Sequence, residues 1–193
     1  MAQHNRTDNE LKADNQVSQF EQIVMPHLDA AYNLARWLTR NDHDAEDLVQ
    51  MTFVRAVRFF DGYKGGNARA WLMTILRNTF YTSHRDNQQD DIHFDETIHS
   101  HQETTQQGMS FAIGSNPEKL LESRDTCRSV NQALEKLPTS FREIIILKEM
   151  EEFSYKEIAD ITGIPIGTVM SRLARGRKLL LVYLEGFDLN GLH

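Results

Sequence analysis

The chain has 193 residues, 40% of them apolar, and its 21 basic against 28 acidic side chains give a formal net charge of −7. The length suggests one or two domains, and the charge excludes a molecule that grips nucleic acid through a basic overall surface. No apolar run approaches the roughly 20 residues of a membrane span, the single cysteine Cys127 excludes an internal disulfide, and the polar start MAQHNRTDNELKADNQ has no signal-peptide core, so a cytoplasmic protein without membrane insertion is expected.

Residues 1–16 read as a mobile tail. From Val17 onward Phe20, Ile23, Val24, His27, Leu28, Ala31, Leu34, Ala35 and Leu38 fall on one helical stripe. His27 on that stripe reads as a core or boundary histidine rather than a ligand. Asn41 and Asp42 break the pattern. A second helix follows, with Ala45, Leu48, Val49, Thr52, Phe53, Ala56, Val57 and Phe60 inward and Asp44, Glu46, Asp47, Gln50 and Arg58 outward. It ends before Gly62, and Tyr63–Lys64–Gly65–Gly66–Asn67 reads as a loop. A third helix, from about Ala68 to His84, carries Trp71, Leu72, Ile75, Leu76 and Phe80. Three helices with short connections predict a small bundle over 17–85.

Periodicity then stops. Residues 86–116 are polar and acidic (Asp86, Asp90, Asp91, Asp95, Glu96, Glu103) and read as a flexible linker. His93, His99 and His101 lie there without a specific ligand spacing. Helical order resumes at Pro117, where Leu120, Leu121, Cys127, Val130, Leu134 and Leu137 form a stripe, with Cys127 read as core. Pro138 ends that helix. Phe141, Ile144, Ile145, Leu147 and Met150 form the next. The expected fold is all-α: two small helical domains, 17–85 and 117–185, joined by the linker, with 186–193 as a fraying tail.

The most informative stretch is SYKEIADITGIPIGTVMSRLARGRKLLL, from Ser154 to Leu181. Ser154 and Glu157 form a capping box that marks a helix start. Ile158, Ala159, Ile161 and Thr162 carry its buried face. Gly163 tolerates the positive φ of a turn, and Pro165 lies where a second helix begins. In that helix Val169, Leu173, Gly176 and Leu180 face inward, while Thr168, Ser171, Arg172, Arg175 and Lys178 share another side. No acid interrupts residues 166 to 182. The spacing Ala159-x3-Gly163-x5-Val169 suits a DNA-binding helix-turn-helix, whose hydroxyls and guanidiniums would meet base edges and phosphates in the major groove. The alternative is an ordinary helical hairpin with a basic, solvated face.

No phosphate-binding glycine loop, triad-like spacing or Cys/His metal frame is present. No catalytic residue, metal or cofactor is expected, and an enzyme is not the expected reading. The third helix has cations at Arg69, Arg77, His84 and Arg85 with Asn78, Trp71, Phe80 and Tyr81 interleaved, a mixture that stacks and holds unpaired bases. Core packing is the competing reading for Trp71 and Phe80. The Lys64–Asn67 loop beside it is a candidate enclosure for a base drawn out of the stack.

These residues make the chain resemble a bacterial sigma-70 family factor of the extracytoplasmic-function (ECF) type, over nearly the whole span from about Phe20 to Leu184. DAEDLVQMTFVRAVRFFDGY is similar to the region that docks on the clamp of RNA polymerase, NARAWLMTILRNTFYTSHR to the region that melts and reads the −10 element, and ALEKLPTSFREIIILKEMEEFSYKEIADITGIPIGTVMSRLARGRKLL to the region that reads the −35 element. The resemblance implies three partners: core polymerase, promoter DNA (duplex at −35, single-stranded at −10) and an anti-sigma factor. It implies clamp docking by Asp47, Gln50 and Phe53, a flipped −10 base held by Asn78 with the Tyr63–Asn67 loop as specificity pocket, and −35 recognition by Thr168, Ser171, Arg172 and Arg175. It also implies a linker that enters the RNA-exit path. Met51 stands where a glutamate is common, and Met170 where some members have a basic residue. The pairing of AWLMTILRNTF with PIGTVMSRLARGR most resembles the subgroup answering thiol-oxidative stress through a zinc-containing anti-sigma protein.

Two other readings stand beside this one. An autonomous dimeric helix-turn-helix regulator would bind DNA tightly without polymerase, which the −7 charge disfavours. A pure interaction protein, such as a decoy for an anti-sigma factor, would have no use for a cationic recognition helix.

Overall fold

A computed structural model describes the backbone of residues 16–87 and 117–188 and the side chains of residues 16–84 and 126–185. The expected N-terminal tail before residue 16, almost all of the acidic linker with His93, His99 and His101, and the last five residues lie outside it. Among the described residues there is no strand, as the all-α reading requires, and no helix long and apolar enough to cross a membrane. The chain divides into two compact units. Helices before residue 90 make the bulk of one and helices after it the bulk of the other.

In the first unit, α1 spans 16–24, a 3-10 turn covers Met25–His27, and α2 runs Leu28–Thr39. The single helix expected here is thus two. Pro26 has no N–H to give and its ring collides with the preceding turn, so the helix breaks there. The break rotates the stripe. Val24, Ala31, Leu34 and Ala35 are fully buried, while Ile23 and Leu28, expected inward, are exposed. Arg40 closes α2 in the left-handed region, φ 61°. Asn41 then opens α3 (Asp42–Phe59), its side-chain oxygen accepting from the N–H groups of His43 at 2.8 Å and Asp44 at 3.3 Å.

Helix α3 ends in a second 3-10 turn, Phe60–Gly62, and α4 runs Ala68–Asn87, so residues 86 and 87, assigned to the linker by sequence, are still helical. Helices α2, α3 and α4 pack pairwise on one another. Leu72, Met73 and Leu76 of α4 are fully buried between them. Two threonines sit in this core at no desolvation penalty. The Thr52 hydroxyl donates to the Leu48 carbonyl at 2.7 Å and that of Thr79 to Ile75 at 2.8 Å. Phe20 meets Phe60 and Phe53 edge-on, with centroids 5.3 and 6.3 Å away. Val57, expected inward, is 55% exposed: it stands off the line of Leu48, Thr52 and Ala56.

After residue 116, α5 spans Pro117–Lys136, α6 spans Thr139–Ile145 and leads directly into a π turn, Ile146–Met150, α7 spans Tyr155–Thr162 and α8 spans Ile166–Asp188. Residues 186–188, expected in the tail, continue α8. Arg142 is 1% exposed. Its guanidinium donates to the carbonyls of Glu135 and Leu137 and to the Thr139 hydroxyl, satisfying the end of α5 at the Pro138 corner. Helix α8 packs on α5 and α6. Gly176 lies at the α6 crossing: a Cβ there would stand 2.9 Å from Ile145 Cδ1 and 3.3 Å from Phe141 Cβ.

Two apolar residues read as core are exposed here, Cys127 and Met150. Helical period marks a side of a helix. That side is buried only where a neighbour reaches it, and none among the described residues covers Cys127. Met150 ends the π turn, whose extra residue per turn carries the side chain off the line of Ile144 and Leu147.

Candidate nucleic-acid and protein interface

The outer face of α3 combines charge with exposed hydrophobe. Asp44, Asp47, Gln50 and Arg58 are all exposed, as the sequence pattern requires. Between them, at steps of three, stand Met51 (42% exposed), Val54 (54%) and Val57 (55%). Sequence reasoning missed Met51 and Val54 as a feature and assigned Val57 to the core. The available signal was the remainder: once Ala45, Leu48, Val49, Thr52 and Ala56 are assigned to the buried stripe, three apolar residues are left on the opposite side. Phe53 is half-buried and edge-on to Phe20, so only part of its ring belongs to this face.

The second feature begins in the loop before α4. Gly65 and Gly66 have φ of 86° and 102°, values that L side chains rarely adopt. The Tyr63 hydroxyl donates to the Gly66 carbonyl at 2.8 Å and closes the loop on itself. Asn67 caps α4, its side-chain oxygen accepting from the Ala70 N–H at 3.0 Å. Its oxygen is therefore committed to the helix start, while Lys64 remains exposed. The loop borders a recess of about 370 Å³ with Gln16, Gln19 and Ile23 of α1 on its other side and Phe60 and Tyr63 as aromatic walls. Tyr63 stacks on Phe60 and lies 5.1 Å from the Trp71 ring.

From Trp71 the helical spacing carries the same face to Asn78 and Tyr81, at i+7 and i+10. Arg77 lies over the Tyr81 ring, 4.6 Å from its centroid. Asn78 is exposed, and Trp71, Arg77 and Tyr81 are half-buried. Of the seven sequence-nominated residues, the structure brings Tyr63 and Trp71 into ring contact and sets Arg77 over Tyr81, with Asn78 exposed between that pair in sequence, Lys64 exposed on the loop and Asn67 capping the helix. In the 3-10 turn after α1, burial and then the Arg69 charge lower the pKa of His27 below its ordinary 6.5.

The third feature is the helix-turn-helix. The capping box is formed in full. The Ser154 N–H and hydroxyl donate to Glu157 Oε2 at 2.8 and 2.7 Å, and the Glu157 N–H returns to Ser154 Oγ at 3.2 Å. Ile158, Ala159, Ile161 and Thr162 are buried. The Gly163 N–H bonds the Ala159 carbonyl at 2.8 Å with φ 67°, the left-handed turn residue the spacing requires. The Pro165 carbonyl accepts from Thr168 and Val169, starting α8. Val169, Leu173 and Gly176 are buried, while Ser171, Arg175 and Lys178 are exposed and Thr168 and Arg172 half-exposed on the other side. Arg177 points away from that face and pairs with Glu149 of the π turn, Nε to Oε1 at 3.0 Å. It was not nominated from sequence, and its charge is paired with Glu149.

Comparison with known proteins agrees with this layout. Residues 23–89 match the model of sigma-70 region 2 and residues 127–180 that of sigma-70 region 4. The chain is 32% identical over 162 residues to the ECF RNA polymerase sigma factor SigW of Bacillus subtilis, an overlap covering 83% of this chain and 86% of that one. The chain belongs to the ECF RNA polymerase sigma factors. A second relative of this sigma factor is SigE of Mycolicibacterium smegmatis, 34% identical over 165 residues. That overlap covers 86% of this sigma factor but 61% of SigE. Among solved structures, the sigma factor RpoE from Bartonella quintana, in complex with the anti-sigma factor NepR, superposes with a TM-score of 0.65 at 34% identity, covering 86% of this sigma factor and 97% of that chain. In this sigma factor the α3 face and the α4 run fall inside the region 2 match, and the helix-turn-helix inside the region 4 match.

Proposed function

We propose that this sigma factor directs promoter-specific transcription initiation by binding core RNA polymerase and reading two promoter elements. The first domain, 17–85, docks on polymerase through the α3 face (Asp44, Asp47, Gln50 and the exposed part of Phe53, with Met51, Val54 and Val57 as its apolar centre). It captures the single-stranded −10 element on the run Tyr63, Lys64, Trp71, Arg77, Asn78 and Tyr81. The second domain, 117–185, sets α8 in the −35 major groove with Thr168, Ser171, Arg172, Arg175 and Lys178. Asn67, exposed at the start of α4 and capping it, belongs to the same proposed −10 surface. The observation that carries this reading is the pairing, in one acidic chain, of an exposed apolar face on α3 with an acid-free cationic face on α8. A net charge of −7 leaves little nonspecific hold on phosphate, and a polymerase partner supplies it.

The factor works in the cytoplasm and has no catalytic residue of its own; phosphodiester chemistry belongs to the polymerase. Control by an anti-sigma factor follows from the RpoE–NepR likeness. The test is in vitro transcription with core polymerase on a pool of randomised promoter fragments, with and without this chain. Factor-dependent starts sharing two spaced elements support the reading. Well-folded protein that elicits no starts, but binds DNA tightly alone, replaces it with the dimeric regulator.

A further inference from the structure

The cationic side of α8 is bordered by a second line that the hydrogen-bonding residues do not explain. Ile166, Met170 and Ala174, at i, i+4 and i+8, are all exposed, Ile166 by 45% and Met170 by 51%. The line sits in the first turns of the helix, interleaved with Thr168 and Ser171. Arg177, which would otherwise put a charge near its far end, is held by Glu149. An exposed methionine is a long, flexible, polarisable apolar arm, and here it stands at the end of the helix that meets base edges in helix-turn-helix complexes. The major groove of DNA offers one apolar group along its base edges, the C5 methyl of thymine.

We infer that Met170 is a specificity-determining residue that reads a thymine methyl in the −35 element, with Ile166 and Ala174 extending the dry contact. This rests on α8 being the −35 recognition helix. The Met170 thioether supplies what a cation at this position does not: preference for an A·T pair through the methyl, with no gain in phosphate affinity. The −35 element of this factor therefore contains an A·T pair next to the bases contacted by Thr168 and Ser171. Discrimination at that pair depends on the methyl group, not on a hydrogen bond.

The test uses the full chain with core polymerase on a promoter recovered from the randomised pool. Each thymine of the −35 duplex, on either strand, is replaced in turn by deoxyuridine, which pairs identically and lacks only the methyl. With the unaltered factor, initiation falls about fourfold at one or two positions, the worth of burying a single methyl group. Met170→Ala, a surface change that leaves core binding intact, initiates equally on thymine and deoxyuridine at those positions, while Arg175→Ala keeps the thymine preference at a lower overall rate. A −35 element without an A·T pair, indifference of the unaltered factor to every deoxyuridine, or a thymine preference that survives Met170→Ala overturns the inference while leaving factor-dependent initiation, and so the sigma reading, standing. Loss of core binding in Met170→Ala overturns it in favour of a protein contact. Absence of any factor-dependent start defeats the sigma reading itself.

Discussion

At the scale of single residues, the proposed function rests on a few side chains of α4 and α8. Arg172 and Arg175 emerge on the solvent side of α8 while Val169, Leu173 and Gly176 hold its other side. A base contact of the proposed kind is worth about 1–3 kcal/mol. Arg172→Ala and Arg175→Ala should therefore each lower −35-dependent initiation by about tenfold or more, with core binding unchanged in a co-elution assay. Asn78 is exposed beside the Arg77–Tyr81 pair, and Asn78→Ala should shift the base preference at −10 in a randomised library without altering the −35 preference. His27 gives a pH effect of definite sign. Its pKa is lowered in the folded state, first by burial and then by Arg69. The unfolded chain takes up the proton first, near pH 6.5, so folding stability falls as pH drops below that value. His27→Gln should flatten this part of the stability profile, read as the difference between the two proteins in thermal melts from pH 7.5 to 5.5.

At the scale of elements, the α6–α8 crossing sets where α8 stands. Gly176→Leu gains about 1 kcal/mol of helix propensity but overpacks the site by about 1–3 kcal/mol. The Phe141 Cβ, 3.3 Å from the new atom, is fixed to its backbone and cannot withdraw. The clash should win, and the melting temperature should fall by a few degrees; a rise would mean that α6 yields easily. On α3, Val54→Asp puts a charge at the centre of the exposed apolar line and should weaken core binding about tenfold or more while leaving the melt unchanged.

How much of these elements the sequence declares follows from what each signal encodes. Caps and turns are local, so Ser154–Glu157 and Gly163 were readable before any fold was known. The inner faces of α3 and α7 were readable because a stripe of period 3.6 has one simple cause. What was not readable depended on neighbours or on backbone geometry. Pro26 hid inside an unbroken apolar stripe, the π turn displaced Met150, and Cys127 lay beyond the reach of any described helix. The outer line Met51–Val54–Val57 is the instructive miss: Val57 was assigned to the core and Met51 and Val54 were passed over, although an unpartnered apolar line on a well-packed helix is itself a docking signal. On α4 the Tyr63–Trp71 ring contact and the Arg77–Tyr81 pair follow from helical spacing, whereas the capping bond of Asn67 was not read from the sequence, although a side chain ahead of a helix start is first in reach of the free N–H groups.

At the scale of the whole chain, the two sigma-70 regions appear in the order that the sequence motifs suggested, and the −7 charge becomes intelligible. A protein that reads promoters only as part of a larger assembly has no need of its own nonspecific affinity. On the proposed function it supplies discrimination and takes the grip from its partner. The direct measurement is the affinity of this chain for a duplex carrying its selected −10 and −35 elements, measured alone and with core polymerase at the same near-physiological salt. The expected result is no sequence-selective binding by the chain alone and strong selective binding once core is added. Tight, selective binding by the free chain, unchanged by core, would contradict the division of labour proposed between this sigma factor and the polymerase.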